Sequence, residues 1–504
     1  MNHYLPSRIY VCLYSFGFLS QFAYAINTYQ AGGFEGLQSL SQQGARCTAF
    51  VVNLRTGEKL AEFNPDERLT PASSSKLVLA GAALENWGSE HTFTTRVWAR
   101  GRRTGSTLEG DLVLEGAGDP SLTNEKLWFL ATDIARSGIK KVTGSLVMNT
   151  SLFGKIDADA NRAAGAQQSS HAYDSPLSAA AVNFSVMAVV ASAGAGAGSP
   201  ANIALEPYAL DTVKLQGSVR TTGQGAAKVQ ASRARSENGD ILNVSGQVLQ
   251  NSWPIRVYRS VSKADEYAGS VLKAFLLSSG VTVGGKFKVE NSQKISRLTP
   301  ISAVESFPLD WQLRGLFKMS NNFIADMLTI QLDLDESKKY GATFKGGSDN
   351  LQNYMRNIAK TSRFKPKEGP GESGIVMQSG SGLTPANRLS ARDLVALLDH
   401  MYFNTREFPS FLAALPIPGA EGTVKNRFSW PGAEHLQSRM RAKTGTLTEP
   451  RDAVALGGYT RLKDGDWVAF AVIVNGSENR PSVGVERAKE LIDHDLARIL
   501  PEEK

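Results

Sequence analysis

Short apolar and alternating runs bounded by turn residues occur near both ends of the chain and predict β-strands. The runs are 48–54, 59–63, 453–459 and 467–475. Asp464-Gly465 separates the last two runs and is a strong hairpin signal, so these strands are expected to be adjacent and antiparallel. The run 77–84 is apolar on nearly every side, which predicts a buried helix, and 483–500 has the pattern of an amphipathic helix. Both ends of the chain therefore predict one shared domain of helices and strands.

The middle of the chain has a different pattern, rich in valine, glycine and turn residues. Its strand-like runs are 111–114, 145–148, 186–190 and 202–205. They predict a mostly β module, in one or two parts, inserted within the shared domain. The alanine- and glycine-rich stretch 191–200 predicts a flexible loop. After the insertion, 309–319 and 323–332 predict two apolar helices that flank a short polar break.

Composition limits the classes of function. With 504 residues the chain is too long for one ordinary domain, and 42% hydrophobic with 20% charged residues is a globular composition. The net charge of +7 suits an anionic polymer or surface. We find no dense basic cluster with interleaved aromatic residues, so no nucleic-acid partner is predicted. The six histidines are not spaced for metal binding, and no nucleotide-binding glycine motif occurs, so neither metal nor cofactor is predicted.

The N-terminus has the features of a secretory signal peptide. Arg8 supplies positive charge, 9–22 is apolar, and Ala25 ends a small-residue cleavage site. We predict that residues 1–25 are removed and that the mature protein is exported to the periplasm without a transmembrane anchor. The alternative is a retained membrane anchor. Cys47 would be the only cysteine of the mature chain, so no intramolecular disulfide is expected.

The first candidate motif for chemistry is Ser73-x-x-Lys76, at the start of the predicted buried helix. We expect Thr70 to cap this helix and Pro71 to occupy its first position. Ser73 then lies in the first turn, where the helix dipole favours developing negative charge. Lys76, three residues on, shares the face of Ser73, and burial lowers the pKa of such a lysine towards neutrality. The alternative is a capped core helix with an incidental lysine.

The second motif is Ser320-Asn321-Asn322, in the polar break between two apolar helices. Such a break is where a loop presents side chains to a cleft. The alternative is that Ser320 or Asn321 only caps the second helix.

The third motif is Lys443-Thr444-Gly445-Thr446, which precedes the strand predicted at 453–459. A lysine and two hydroxyls on an adjacent strand can hold a carboxylate, and Gly445 would let a substrate backbone approach closely. The alternative is a surface turn with a lysine. Together the three motifs supply a hydroxyl nucleophile and lysines where other serine enzymes use histidine, a combination associated with penicillin-binding proteins and class A β-lactamases.

Further segments extend the resemblance over nearly the whole mature chain, which is similar to the class C low-molecular-mass penicillin-binding proteins, the D-alanyl-D-alanine carboxypeptidase/endopeptidases. These segments are Gly116-Ala117-Gly118-Asp119-Pro120-Ser121-Leu122, Pro176-Leu177-Ser178-Ala179 with Asn183, Tyr267-Ala268-Gly269 and Glu421-Gly422-Thr423. The long insertion after the first motif is itself a trait of that family. The resemblance implies peptidoglycan stem peptides and their cross-links as substrates, and β-lactams as covalent inhibitors.

The predicted fold class is a multi-domain α/β (α+β) protein with a penicillin-binding-protein/β-lactamase-like catalytic domain. We expect that domain, an antiparallel sheet with helices on both faces, to comprise 26–92 and 303–504. The mostly β insertion between the first and second motifs is divided into domain II, 93–120 with 185–302, and domain III, 121–184.

The resemblance also implies a role for each motif residue. Ser73 would attack the D-alanine carbonyl and Lys76 would take its proton, while Ser320 would relay a proton to the leaving amine. Asn322 would hold the substrate amide. Lys443 completes the catalytic group: with Thr444 and Thr446 it would receive the terminal carboxylate and set the field around Ser320. The substrate-binding group comprises Thr444, Gly445 and Thr446.

One segment departs from the family pattern. Ser379-Gly380-Ser381-Gly382-Leu383 stands where the family has Asp-Gly-Ser-Gly-Leu, so the aspartate is missing. This segment predicts either a simple loop or backbone close to the cleft. Two other functions stay open from the sequence: another penicillin-recognising serine hydrolase, such as an esterase or β-lactamase, and an inactive peptidoglycan-binding protein.

Overall fold

A computed structural model describes residues 33–156, 169–237, 239–292, 298–365 and 374–502. The predicted signal peptide, 1–25, lies outside these residues. The α-helices of the described residues are α1 (Glu35–Gln42), α2 (Ser75–Trp87), α3 (Asn124–Arg136), α4 (Ala264–Ser278), α5 (Leu309–Lys318), α6 (Asn322–Gln331), α7 (Phe344–Thr361), α8 (Ala391–Phe403), α9 (Phe408–Ala414), α10 (Glu434–Arg439) and α11 (Val485–Ile499). Among these helices, none is long and apolar enough to cross a membrane.

The strands of the described residues are β1 (Arg46–Asn53), β2 (Lys59–Phe63), β3 (Thr94–Thr104), β4 (Thr107–Glu115), β5 (Lys141–Val142), β6 (Leu146–Asn149), β7 (Val186–Ser192), β8 (Asn202–Glu206), β9 (Val213–Thr222), β10 (Lys228–Ser236), β11 (Gly239–Leu249), β12 (Ile255–Ser260), β13 (Thr282–Val283), β14 (Lys288–Glu290), β15 (Thr299–Glu305), β16 (Arg441–Leu447), β17 (Ala453–Arg461) and β18 (Trp467–Asn475). The strand predictions near both ends of the chain are thus confirmed.

A five-stranded antiparallel sheet joins the two ends of the chain in the order β16-β17-β18-β1-β2. Alternate residues of β1 face opposite sides, as the pleat requires. Phe50 and Val52 pack in the core that contains α2 and α8. Ala49 and Val51 pack in the core that contains α1, α10 and α11. The predicted sheet with helices on both faces is therefore confirmed, and its edge strand β16 carries the third motif.

The described residues of the insertion between the first and second motifs form three further sheets, which confirms its mostly β character. One joins β13, β5, β4, β3 and β15, with β6 and β14 attached, and two smaller sheets have the orders β10-β11-β9 and β12-β7-β8. The strand pattern did not predict α3 and α4, which pack together in the core of this module. The division of the insertion at 120 and 184 stays a prediction, and β4 pairs with β6 across the first of these positions.

Two long-range contacts fix the N-terminal elements on the C-terminal part of the catalytic domain. The carboxylate of Asp495 in α11 accepts hydrogen bonds of 2.9 Å from the backbone N–H groups of Gly36 and Leu37 in α1. At the end of β18, the amide side chain of Asn475 accepts from Thr70 N at 2.8 Å and donates to Thr70 O at 3.0 Å. The second contact holds the backbone three residues before Ser73.

Candidate active site

The segment that presents Ser73 is a strained turn rather than the first turn of an α-helix. Ala72 has φ of +47°, residues Ala72–Ser74 form a 3₁₀ turn, and α2 begins at Ser75. The expected cap by Thr70 is wrong, and so is the expected first helical position of Pro71. The Thr70 hydroxyl instead donates to Pro385 O at 2.9 Å and accepts from the Arg388 guanidinium at 2.8 Å. These distant partners replace the local cap.

Ser73 is the most accessible of the three consecutive serines. Ser74 and Ser75 are fully buried, and the Ser75 hydroxyl accepts a 2.8 Å hydrogen bond from the Asn387 amide. Ser73 is only half-buried, and its Oγ lies 3.0 Å from Lys76 Nζ. The structure therefore places Ser73 and Lys76 on one face, as their spacing predicts.

Lys76 lies entirely out of contact with water, at the centre of a small polar cluster. Its ammonium group donates to Ser73 Oγ at 3.0 Å, Asn322 Oδ1 at 2.8 Å and Ser381 O at 2.6 Å. Burial lowers the pKa of Lys76 to about 7, and the charge of Asp326 partly opposes this shift. A lysine with this pKa exchanges a proton readily near neutral pH.

In the second motif, Asn321 caps a helix and Asn322 contacts Lys76. The Asn321 side chain accepts from Ile324 N at 3.0 Å and caps α6, so the capping alternative applies to Asn321. Asn322 accepts from Lys76 and donates through its Nδ2 to Tyr173 O at 3.3 Å, which joins the active site to the inserted module. Ser320, in the left-handed region with φ of +52°, lies in the turn between α5 and α6.

Lys443 of the third motif is fully buried on β16. Its Nζ donates to Thr444 O at 2.6 Å, and Thr444 Oγ1 donates to Thr423 Oγ1 at 2.6 Å. Burial, followed by the nearby charge of Lys76, holds the pKa of Lys443 well below its usual value.

Gly445 has a packing role that the sequence did not predict. A Cβ on Gly445 would lie 2.5 Å from Pro71 O and 3.2 Å from the Cβ of Ala72. The carbonyl that approaches this side of Gly445 therefore belongs to the turn before Ser73. The close approach of a substrate backbone to Gly445 stays a prediction. Thr446, the next residue, is exposed to solvent at the same edge.

The segment 379–383 contributes its backbone to the site, which favours the second of its two predicted roles. Ser381 O accepts from Lys76 at 2.6 Å and from the Ser73 hydroxyl at 3.4 Å. The hydroxyls of Ser379 and Ser381 are 2.7 Å apart, and the Ser379 hydroxyl lies 3.5 Å from a carboxylate oxygen of Asp326. Asp326 is buried on α6 one turn after Asn322 and was missed by the sequence analysis.

The family of the protein follows from its similarity to known proteins. The model of the D-Ala-D-Ala carboxypeptidase 3 (S13) family matches residues 36–495. The chain belongs to this family. It is accordingly a serine peptidase of the D-Ala-D-Ala carboxypeptidase class and a penicillin-binding protein.

Two relatives and one solved structure agree with this membership. The D-alanyl-D-alanine carboxypeptidase of Actinomadura sp. (strain R39) is 28% identical over 484 residues, which cover 90% of this chain and 82% of the relative. The D-alanyl-D-alanine carboxypeptidase DacB of Haemophilus influenzae is 23% identical over 461 residues, 91% of each chain. The crystal structure of penicillin binding protein 4 from Haemophilus influenzae superposes with a TM-score of 0.71 at 23% identity, and covers 92% of this chain and 99% of that chain. The last comparison establishes the fold.

Proposed function

We propose that the protein cleaves peptidoglycan stem peptides that end in D-Ala-D-Ala, or that are cross-linked through D-Ala, by way of an acyl-enzyme on Ser73. One observation carries the proposal: the hydroxyl of Ser73 lies 3.0 Å from the Nζ of a fully buried lysine whose pKa is about 7. A neutral amine at this distance can take the hydroxyl proton as the oxygen attacks a carbonyl.

In the acylation step, Ser73 Oγ forms a bond to the D-alanine carbonyl carbon and its proton passes to Lys76. The tetrahedral oxyanion is stabilised by the backbone N–H groups of Ser73 and Thr446, and losing one such donor typically costs about 10²–10³ in rate. When the peptide C–N bond breaks, Ser320 passes its hydroxyl proton to the leaving amine and takes up the proton held by Lys76, which becomes neutral again. Water then attacks the ester and restores the Ser73 hydroxyl. No metal or organic cofactor takes part in the proposed steps.

The substrate is held from both sides of the cleft. Asn322 binds the substrate amide, and Lys443, Thr444 and Thr446 bind the terminal carboxylate. The buried Lys443 supports this role because its depressed pKa makes a negative partner favourable. Gly445 contributes indirectly by letting β16 pack against the turn that presents Ser73.

We further propose that β-lactams acylate Ser73 by the same route and deacylate slowly. A structure of the Haemophilus influenzae protein, 23% identical with a TM-score of 0.67, is complexed with a β-lactam. We also propose export to the periplasm after removal of residues 1–25, because the N-terminal sequence has the pattern of a secretory signal peptide.

The test is incubation of the purified mature protein with fluorescent penicillin, followed by peptide mass mapping and assay on pentapeptide substrates. A stoichiometric adduct on Ser73 is expected, and Ser73→Ala should abolish it. Ser74→Ala is the matched control, because the buried Ser74 hydroxyl has no hydrogen-bond partner among the described residues. An adduct that persists in Ser73→Ala would refute the nucleophile. Rapid β-lactam turnover without peptide cleavage would favour a β-lactamase, and binding to sacculi without product would favour an inactive binding protein.

A further inference from the structure

A depression of about 740 Å³ lies on the inserted module and is lined by none of the motif residues. Arg220, Gln247 and Lys228, on three adjacent strands, line it together with Gly198 and Pro200 from the loop between β7 and β8. The depression therefore lies at one end of the sheet β10-β11-β9, which has no part in the proposed chemistry.

The outer face of this sheet is polar from one edge to the other. Its inner face carries Val219, Leu242 and Ala231 into the core of the module, so the residues between them point outwards. The strand register sets the outward side chains in three rows, Gln216-Asn243-Ser232, Ser218-Ser245-Gln230 and Arg220-Gln247-Lys228. We call these residues the polar face, and all of them are exposed except the half-buried Gln247. The polar face extends about 14 Å along the strands and about 10 Å across them.

The two cations of the polar face have no carboxylate partner on the protein. Elsewhere in the module, Arg102 on β3 lies opposite Glu109 on β4 and forms an ion pair with it at 3.4 Å. Arg220 and Lys228 form no ion pair among the described residues, and the polar face itself contains no aspartate or glutamate. Positive charge without a partner on the same surface attracts anionic groups from solution.

An exposed tryptophan lies at the same end of the sheet as the depression. Trp253, in the turn between β11 and β12, is 91% exposed. That turn begins where Gln250 N donates to Thr222 O at 2.9 Å, two residues after Arg220 on β9. An indole this exposed contributes little to the fold. Its flat apolar face can stack on the C–H face of a sugar ring, while Nε1–H stays available to donate.

These groups match the chemistry of a sugar chain that carries anionic substituents. Amide and hydroxyl side chains both donate and accept hydrogen bonds, as the hydroxyl and N-acetyl groups of a sugar chain require. A guanidinium and an ammonium group form charge-assisted hydrogen bonds with carboxylates. Peptidoglycan combines both, because its glycan strand bears stem peptides with free carboxylates.

We propose that the polar face and Trp253 bind the glycan strand of peptidoglycan, with stem-peptide carboxylates at Arg220 and Lys228. This second site holds polymeric substrate on the enzyme while the active site acts on the attached peptides. The identity of the polymer rests on the proposed function, whereas the binding itself needs no acylation of Ser73.

The test is sedimentation of the purified mature protein with isolated sacculi. Ser73→Ala is used as the parent so that bound wall is not digested. In this parent, Arg220→Glu with Lys228→Glu should raise the apparent Kd at least tenfold at low ionic strength, since repulsion replaces attraction. Trp253→Ala should raise it about tenfold, as for loss of an aromatic anchor.

The same changes are also made with Ser73 intact. Acylation by fluorescent penicillin and kcat/KM on a soluble pentapeptide should then stay within about twofold, because exposed residues away from the cleft contribute little to stability or chemistry. An equal loss on penicillin, on the pentapeptide and on sacculi would refute the second site, since that pattern indicates damage to the whole fold.

Two matched controls separate the site from general attraction. Lys360→Glu with Arg487→Glu changes the net charge by the same amount at exposed positions of α7 and α11. Trp128→Ala removes a 45% exposed tryptophan from α3. Unchanged sacculus binding in the polar-face and Trp253 variants, or an equal fall in the controls, would refute the proposal.

A further variant tests whether the site recognises sugar or only charge. Gln230→Ala with Asn243→Ala leaves the charge unchanged and should weaken binding to sacculi severalfold, because it removes two amides from the middle of the polar face. Loss of binding on charge reversal alone, with both amide and Trp253 variants unaffected, would refute glycan recognition. Failure of the proposed function is distinguishable, because the protein with Ser73 intact would then form no penicillin adduct, whatever its binding to sacculi.

Discussion

The buried Lys76 links the pH of the solution to the reactivity of Ser73. Its three hydrogen-bond acceptors are neutral, and the carboxylate of Asp326 is the nearby negative charge that favours its protonated form. Lys443 faces it from β16 with a like charge. Asp326 therefore matters when Lys76 becomes a cation during acylation.

We predict that acylation of Ser73 by fluorescent penicillin depends on neutral Lys76. The second-order rate should rise about tenfold per pH unit below pH 7 and level off above the pKa, which is about 7. Rates measured between pH 5 and 9 test this expectation, and a flat profile would remove Lys76 as the base.

The substitution Asp326→Asn tests whether the pKa of Lys76 sets the midpoint of this pH–rate profile. Loss of the carboxylate removes a charge that raises the pKa of Lys76, so the midpoint should move to lower pH. The plateau rate should fall, because the lysine becomes a weaker base and its cation is less stabilised. Asp326→Glu keeps the charge and should restore most of the midpoint, whereas an unmoved midpoint in Asp326→Asn would contradict the role.

Among single residues, the sequence predicted the groups that are close together in the chain. It missed the groups that only folding brings together. The three-residue spacing of Ser73 and Lys76 predicts their shared face because helical geometry is regular. The carbonyl of Ser381 has no side-chain signature, and Asp326 looked like an ordinary residue of an apolar helix. The Thr70 cap failed because Pro385 and Arg388, more than 300 residues away in the chain, supply better partners.

Among the elements, β16 and the turn at 71–74 are the pair on which the site depends. They meet where Gly445 faces the carbonyl of Pro71, so the strand with the third motif lies directly against the turn with the first. Strand positions such as this follow from hydrophobic pattern and hairpin signals, which is why the sheet was predictable. The helices α3 and α4 were missed because the surrounding strand-rich composition dominated the pattern of the insertion.

Gly445→Ala tests this contact. The new methyl group would lie 2.5 Å from Pro71 O, so β16 or the turn must move, at a cost of about 1–3 kcal/mol in the free energy of unfolding. Penicillin acylation should fall at least tenfold, because a shift of about 1 Å in the reacting groups has effects of this size or larger.

The control for that variant is Gly457→Ala on the adjacent strand β17. Its new Cβ would make only an ordinary 3.4 Å contact with Leu77. Denaturant unfolding and acylation rates of both variants should be measured together. If penicillin acylates Gly445→Ala as fast as Gly457→Ala, the close packing of β16 against the turn at 71–74 is not needed for the reactivity of Ser73.

On the scale of the whole molecule, the reactivity of the Cys47 thiol shows whether the catalytic domain is folded. It lies on β1, is 1% exposed, and burial raises its pKa to about 12, with the charges of Glu67 and Asp495 adding to the effect. The thiolate that reacts with alkylating reagents is therefore almost absent in the folded state.

We predict that the thiol of the mature protein reacts with iodoacetamide at pH 8 at least about 10³-fold more slowly in native buffer than in denaturant, because labelling requires opening of the central sheet. Mass spectrometry of timed samples measures the rate, and Cys47→Ala supplies the unlabelled control. Labelling in native buffer at the denatured rate would show that β1 is not stably packed.

The order of the sheet has a consequence for the time at which the enzyme becomes active during its synthesis. β1 pairs with β18, and Lys443 lies on a strand made almost four hundred residues after β1. Ser73 is therefore synthesised long before Lys443 and β18. The insertion has its own core and can fold while the rest of the chain is still emerging. A nascent chain that ends before Trp467 contains Ser73 and Lys76 but leaves one edge of β1 unpaired, a surface prone to aggregation. We therefore expect a product truncated before Trp467 to aggregate rather than to act as an unregulated hydrolase.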